Sequence, residues 1–251
     1  MKIESYILAH NEEKLMPYIM RHYSQFSDVI ILENNSTDRT IEIAETMGAT
    51  VSKLKRPDTM NTQWQTDIKN QCWKKSKADW VIVADADEFV FHPNLINILE
   101  NTDATIICPA MFNMFSDTFP TTEGQIYDEV FMGTEYIPPT FEYDPDHLKL
   151  PILNRQMSIF KPSMIREINY LIACHFANPE GDVKIDYESE IIILHMKYLS
   201  IEYVLERHKR FAARLSEHNV KCSGAGKQYT WSKKDTVKYI NEMKATARKI
   251  V

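Results

Sequence analysis

Four short apolar runs alternate with helix-type segments over the first hundred residues of this 251-residue chain, and that alternation restricts the fold more than any other feature. The runs lie at 2–9, 28–33 (DVIILE), 49–54 and 79–84 (DWVIVA). Each suits a buried strand and is too short for a typical helix. Between them, Pro17 suits the first position of a helix whose face continues through Tyr18, His22 or Tyr23, and Phe26. A second helix carries Ile41, Ala44 and Met47 and ends at Gly48, a third spans 62–76, and a fourth starts within 93–99. Strands alternating with helices predict an α/β fold with a mainly parallel sheet. Ligands of such sheets bind beyond the carboxyl ends of the strands. The polar clusters Asn11-Glu12, 33–38 and 85–88 each follow a run, so all three are expected on one rim.

Beyond residue 100 the pattern loosens. A strand is expected at 104–111, and later ones at 158–161, 171–176 and 190–195. The stretch 113–150 is rich in Pro, Asp, Tyr and Phe without a clear period, which reads as long loops and short strands carrying substrate-specific contacts. Ile201, Val204, Leu205, His208, Phe211 and Leu215 mark an amphipathic helix, and Ser232 or Asp235 opens a last one. The division that follows is a domain at 1–200, with halves 1–100 and 101–200, and a helical extension at 201–251.

Composition bounds the chemistry. With 44% hydrophobic and 25% charged residues, the chain can bury a core without disulfides or a structural metal. Cys72, Cys108, Cys174 and Cys222 are scattered with no CxxC pair, so free thiols in a reducing, cytoplasmic setting are expected. From the start MKIE no signal peptide is expected, and no apolar stretch is long enough to span a bilayer. The net charge of −6 conceals an asymmetry: 13 Lys and Arg face 5 Asp and Glu from Lys197 onward, against 16 and 30 before it. The acidic part suits a cation. The basic part suits a pyrophosphate or peripheral contact with an anionic membrane face. A negative chain whose basic residues lie on late helices argues against nucleic-acid binding. No G-x-S-x-G turn supports serine-nucleophile chemistry.

Asp85, Asp87 and Glu88 sit together at the end of the run 79–84. Repulsion and desolvation disfavour that grouping unless a cation or hydrogen-bond donors compensate. Mg²⁺ or Mn²⁺ is one natural compensation, since both prefer carboxylates with substrate phosphates. A diphosphate would then bridge to Asp87 through the metal.

At these residues the chain resembles a family. The stretch 5–89 resembles the nucleotide-binding half of family 2 glycosyltransferases, which have the GT-A fold. Ile7-Leu8-Ala9-His10-Asn11-Glu12 is similar to their first strand and Asn-Glu turn. The segment 30–40 (IILENNSTDRT) is similar to V-V-D-D-G-S-T-D-G-T, Lys69-Asn70 to a basic residue before Asn, and Asp85-Ala86-Asp87 to D-x-D. The longer form D-x-D-E-F, with 158–162 (SIFKP), Cys174-His175 and 195–198 (HMKY), resembles the related family 92 group. Glu33 and Asn34 depart from the paired Asp of the family pattern, which leaves the base of the nucleotide open.

The resemblance implies a GT-A, Rossmann-like mixed and mainly parallel sheet flanked by helices, with C-terminal helices. It also implies a nucleotide-diphosphate sugar donor, a UDP-sugar favoured, and a hydroxyl of a glycan or lipid-linked molecule as acceptor. Glu33 takes the place of the acid that hydrogen-bonds the base. Ala9, Asn11 and Glu12 would line the nucleoside pocket, with Lys69 and Ala86 among the donor-binding residues, while Asp38 caps the next helix. Asp85 would contact ribose or the metal's shell, Asp87 would bind the metal, and His195 would be a second metal ligand or a diphosphate contact. Lys197, or Arg207 and Lys209, would assist the leaving diphosphate. Such families invert, so a base must take the acceptor's proton. The candidates are Glu129, Glu135, Asp144, Asp146 and Glu188, with His175 as an outsider. Trp64, Tyr127, Phe131, Tyr136 and Phe141 are candidates for stacking on sugar faces, although most such rings are core. Two other classes stay open at this point: a nucleotidyltransferase of similar α/β plan, which usually carries a Gly-rich first turn absent from His10-Asn11-Glu12-Glu13, and a non-catalytic nucleotide-sugar-binding module.

Overall fold

The computed structural model describes residues 1–54, 59, 61–136, 154–171, 174, 176–215 and 226–251. The first half builds as the apolar pattern predicts. β1 (Ile3–Ala9), β2 (Asp28–Glu33), β3 (Thr50–Lys53) and β4 (Trp80–Asp85) alternate with α1 (Met16–Tyr23), α2 (Thr40–Thr46) and α3 (Thr62–Gln71). β1 pairs in parallel with both β2 and β4, and β2 in parallel with β3. Successive side chains of β1 and β4 enter opposite cores, as a period of two requires. Ile7, Ile82 and Ala84 pack with α1 residues Met16, Ile19 and Tyr23. Tyr6, Leu8, Val81 and Val83 pack on the other face with Trp73 and Phe160. Both faces are covered, so β1 and β4 place apolar residues on both sides rather than alternating apolar with polar ones. Each fully buried Ile contributes about 1.5–3 kcal/mol.

The second half departs from the expected elements in three places. The strand expected at 104–111 is two: β6 (Ile106–Ile107) and β7 (Ala110–Phe115). Pro109 lies between them, and with no N–H it cannot continue a ladder. β6 stays in the first sheet while β7 enters a second one. The segment 171–176 is a turn rather than a strand at its described residues. Tyr170 bridges Ala177, the Leu171 N–H donates to the Phe176 carbonyl, and Cys174 has φ 60°. The helix expected at 62–76 stops at Gln71, because Trp73 turns inward edge-on to Phe160, with ring centroids 4.9 Å apart.

Strands β8 (Met132–Glu135), β10 (Ile165–Glu167) and β11 (Glu180–Gly181) are among those that carry no strong sequence signal. With β5 (Glu88–Phe91), α4 (Leu95–Asn101), β9 (Ile159–Phe160), β12 (Ile185–Asp186), β13 (Ile192–Tyr198), α5 (Ile201–Ala212), α6 (Lys233–Lys244) and β14 (Arg248–Lys249), they complete the described fold. Among the described residues, one sheet runs β12-β6-β9-β4-β1-β2-β3 and a second runs β14-β8-β7-β13-β5. The expected mixed, mainly parallel α/β architecture with C-terminal helices is therefore observed. The stretches exchange strands: β12 joins the N-terminal sheet, β5 joins the second sheet, and β14 pairs with β8. No described helix is long and apolar enough to cross a membrane.

Candidate active site

The three strand-end clusters meet, and two asparagines make the meeting possible. Asn11 follows β1 with φ 53°, and Asn35 follows β2 with φ 55°. Asn enters this left-handed region more readily than other side chains with a Cβ, so the chain turns sharply off each strand. The turns then lace together. The Thr37 N–H donates to Asn11 Oδ1 at 2.7 Å, Asn11 N–H to Ser36 Oγ at 3.1 Å, and Glu12 N–H to Thr40 Oγ1 at 2.7 Å. Asn34 N–H donates to the Ala9 carbonyl at 3.1 Å, and Ala86 N–H to the Leu8 carbonyl at 3.2 Å. Asp38 Oδ1 accepts from Thr40 N–H at 3.0 Å, but Asp38 precedes the N-cap position, which is Arg39 and makes no side-chain capping bond, so the expected cap becomes a turn bond just ahead of α2. Glu33 Oε1 accepts from Ser36 N–H, so this buried acid shapes its own turn.

The carboxylates stand at the centre of this rim. Asp87 is buried, and its Oδ2 accepts from Arg207 Nη1 at 2.5 Å and from His195 Nε2 at 3.2 Å. Burial pushes the Asp87 carboxyl up, but the Arg207 guanidinium and then His195 outweigh it and hold the group well below the usual range. Arg207 also lies 3.6 Å from Glu12 Oε1, while Tyr203 Oη is 3.5 Å from Glu12 Oε2. Burial raises Glu12 to about 7, against the pull of Arg207. Asp85 is 2.9 Å from Lys69 Nζ, its side chain 43% exposed while that of Lys69 is 4% exposed. Glu88 Oε2 accepts from Asp85 N–H at 3.0 Å and from Gln156 Nε2 at 3.2 Å, and burial, then the Asp85 charge, push its carboxyl upward. The compensation that the acidic cluster demands thus includes protein groups: Lys69, Arg207, His195 and Gln156.

Asp87 and His195 also bear on the question of a cation. Among the described residues no three His, Cys, Asp or Glu side chains form a metal-holding group. A Mg²⁺ or Mn²⁺ bound with a diphosphate needs fewer, because phosphates and waters complete its shell. A carboxylate and an imidazole 3.2 Å apart are suitable donor types, and His195 Nδ1 is buried without a hydrogen-bond partner. Burial lowers the His195 pKa below its ordinary value despite Asp87, which favours the neutral ring a metal needs. The residues present fit the ion, with Asp87 and His195 as ligands, while Asp85 is paired with Lys69.

Other expected residues fall elsewhere. Lys197 is half-buried two positions past His195, close enough that its charge depresses the His195 pKa. Glu129 is exposed and accepts from Thr121 N–H at 2.9 Å, bracing its own loop. Glu135 pairs with Arg248 at 3.2 Å, and Glu188 is exposed ahead of β13. Asp144, Asp146, Phe141 and His175 lie outside the described residues. Sequence reasoning did not assign Tyr203, Arg210 or Gln156, and it gave Arg207 to the diphosphate rather than to Asp87. Arg210 Nη1 donates to the Asn11 carbonyl. A signal existed: Tyr203, Arg207 and Arg210 recur at i, i+4 and i+7, placing two arginines on one inward face of α5.

The model of glycosyl transferase family 2 matches residues 6–168, more than half of the chain. The chain belongs to glycosyl transferase family 2. An uncharacterized glycosyltransferase of Rickettsia typhi is 33% identical over 90 residues, which are 35% of this chain and 28% of that protein. One from Rickettsia prowazekii is 32% identical over 90 residues, again 28% of its length, so this family member matches under a third of those relatives. Among solved structures, Staphylococcus aureus TarS residues 1–349 in complex with UDP-GlcNAc is 14% identical over 96% of this chain and 79% of that one, at a TM-score of 0.41. Glucosyl-3-phosphoglycerate synthase of Mycobacterium tuberculosis, in complex with Mn²⁺, UDP and glucosyl-3-phosphoglycerate, is 20% identical over 45% of this chain and 44% of that one, at 0.32.

Proposed function

We propose that the chain is an inverting glycosyltransferase. It moves a sugar from a nucleotide-diphosphate sugar, a UDP-sugar favoured, to a hydroxyl of a glycan or lipid-linked acceptor, with Mn²⁺ or Mg²⁺. The observation that carries this reading is the buried Asp87, held ionised by Arg207 and His195 on the rim where the Asn11-Glu12 and 33–38 turns also arrive. Family membership supports it. The sequence form 85–89 (DADEF) is what favours a place near the D-x-D-E-F group of family 92.

Breaking the bond to a diphosphate builds negative charge on the leaving group, and the transition state at the sugar is oxocarbenium-like. Asp87 and His195 would hold the metal, which when bound would supply positive charge to that leaving group. The chain's own residues do the rest. The Ala9–Glu12 turn and Glu33 form the wall against the nucleoside. Lys69 holds Asp85 toward the open side of the rim. Arg207 is a cation that can exchange Asp87 for a phosphate oxygen, and Lys197 adds a second positive charge close to His195. The acceptor's proton passes to a carboxylate of the acceptor half, with Asp144, Asp146 and Glu188 ahead of Glu129, whose carboxylate is engaged by Thr121. The test is nucleoside-diphosphate release from a panel of donors with Mn²⁺ or Mg²⁺. Asp87→Ala is expected to lose on the order of 10²–10³ in turnover. Full metal-dependent activity in that variant would show the site assignment to be wrong.

A further inference from the structure

A pocket of about 470 Å³ opens between the end of α1, the far end of β5 and the start of α4. Its size falls within the roughly 300–1,000 Å³ of small-molecule sites. It is separate from the acidic rim. β5 starts at Glu88, beside Asp87, and its last residue Phe91 lines the pocket, three residues away or about 10 Å along a strand. α1 likewise starts close to the Glu12 turn and ends at the pocket.

The lining has a definite chemistry. Phe26, Phe91 and Tyr127 supply aromatic surface, with the Phe91 and Tyr127 ring centroids 4.8 Å apart. Gln25, Asn94 and Asn97 bring exposed amides to the edge, and Glu100 brings a carboxylate. Gln25 Nε2 donates to the Arg21 carbonyl at 2.9 Å and Asn97 Oδ1 accepts from Asn101 Nδ2 at 3.1 Å, so Gln25 offers its amide oxygen and Asn97 its amide N–H. His22 lines it too, edge-on to Phe26 at 5.4 Å and to Tyr127 at 5.8 Å. Its Nε2–H donates to the Val90 carbonyl at 2.8 Å, leaving Nδ1 as a buried acceptor with no partner. Among the described residues no Lys or Arg lines the pocket, and His92 stands 3.6 Å from Glu190, so a phosphate or nucleotide finds no counter-charge there. An alkyl chain would strip water from three amides without replacing it. A pyranose meets both demands: its C–H face packs on aromatic rings, and its hydroxyls bond amides and a carboxylate.

We propose that this pocket is a second, non-catalytic carbohydrate site, taking one neutral hexose or N-acetylhexosamine unit. The site stands on its own chemistry, independent of the transfer reading. The test is saturation-transfer NMR and calorimetry on the full chain with glucose, galactose, N-acetylglucosamine, cellobiose, lactose and chitobiose. At least one sugar is expected to bind. Tyr127→Ala and Asn97→Ala should each weaken it about tenfold or more, while Asp87→Asn and saturating UDP leave it unchanged. Asn97 is exposed, so its variant decides the matter if Tyr127→Ala fails to fold. The proposal is overturned if no sugar binds, or if Asn97→Ala binds as wild type does. It is equally overturned if Asp87→Asn or UDP abolishes binding, which would move the sugar to the catalytic rim. Donor turnover is read separately, so failure here is distinct from failure of the transferase reading.

Discussion

Arg207 replaces part of what a metal would do for a buried carboxylate. Its guanidinium reaches Asp87 and Glu12 together, and both acids are buried. Removing one partner of such a pair leaves an uncompensated charge, so Arg207→Met should cost about 3–5 kcal/mol in urea unfolding. Adding Asp87→Asn should recover part of that loss, because the stranded charge is then gone. Glu12 gives a second prediction with a definite sign. Its folded pKa is about 7 against 4.5 for an ordinary Glu, so the native state holds the proton more tightly. The stability this contributes is complete below about pH 4.5 and is lost as pH rises through 7, roughly 3 kcal/mol across the window. Denaturation midpoints at pH 5.5 and 7.5 should therefore differ less in Glu12→Gln than in wild type. A slope that persists unchanged in the variant would assign the effect to other groups. At this scale Asp87 was legible, because three carboxylates at a strand end are conspicuous. Its partners were not, since Asp87 and Arg207 are 120 positions apart.

α5 is the element that closes the rim. Ser200 caps it by accepting from Tyr203 N–H at 3.1 Å, Val204 packs into the main core, and Arg207 and Arg210 reach the strand-end turns. Ser200→Ala should therefore cost about 1 kcal/mol, measurable by thermal or urea unfolding, with a matching loss of donor affinity as the arginines loosen. Elements with strong local signals were read well. β2 lies where its apolar run predicted, and α6 opens after Ser232, whose Oγ accepts from Asp235 N–H. The short strands β10, β11 and β12 were not, although the two-residue β9 falls inside the run expected at 158–161. They are specified by a partner strand brought from elsewhere in the chain, and two residues carry no period.

For the molecule as a whole, the C-terminal segment is woven into the fold. Ile240 of α6 enters the main core, and β14 adds to the second sheet through β8. A chain ending at Ser200 would expose that core and strand Asp87 without Arg207. It is expected to be recovered as aggregate, and soluble expression with size-exclusion chromatography checks this. The basic excess of the extension is also partly turned inward or paired. Arg207 and Arg210 face the rim, while Lys244 pairs with Asp117 and Arg248 with Glu135.

The strand–helix alternation of the first hundred residues determined the parallel sheet, and with it the rim on which Asn11, Glu12, Asp85 and Asp87 arrive. Those are local properties: apolar period, turn residues, and the rule that strands of one direction end on one side. What only tertiary structure decided is how the charge there is balanced. It sets Arg207 against Asp87, Lys69 against Asp85 and Gln156 against Glu88, and places Tyr127 in a pocket away from that rim. Pairing energies depend on burial and on distances of a few ångströms between residues remote in sequence, and neither is written in a local pattern.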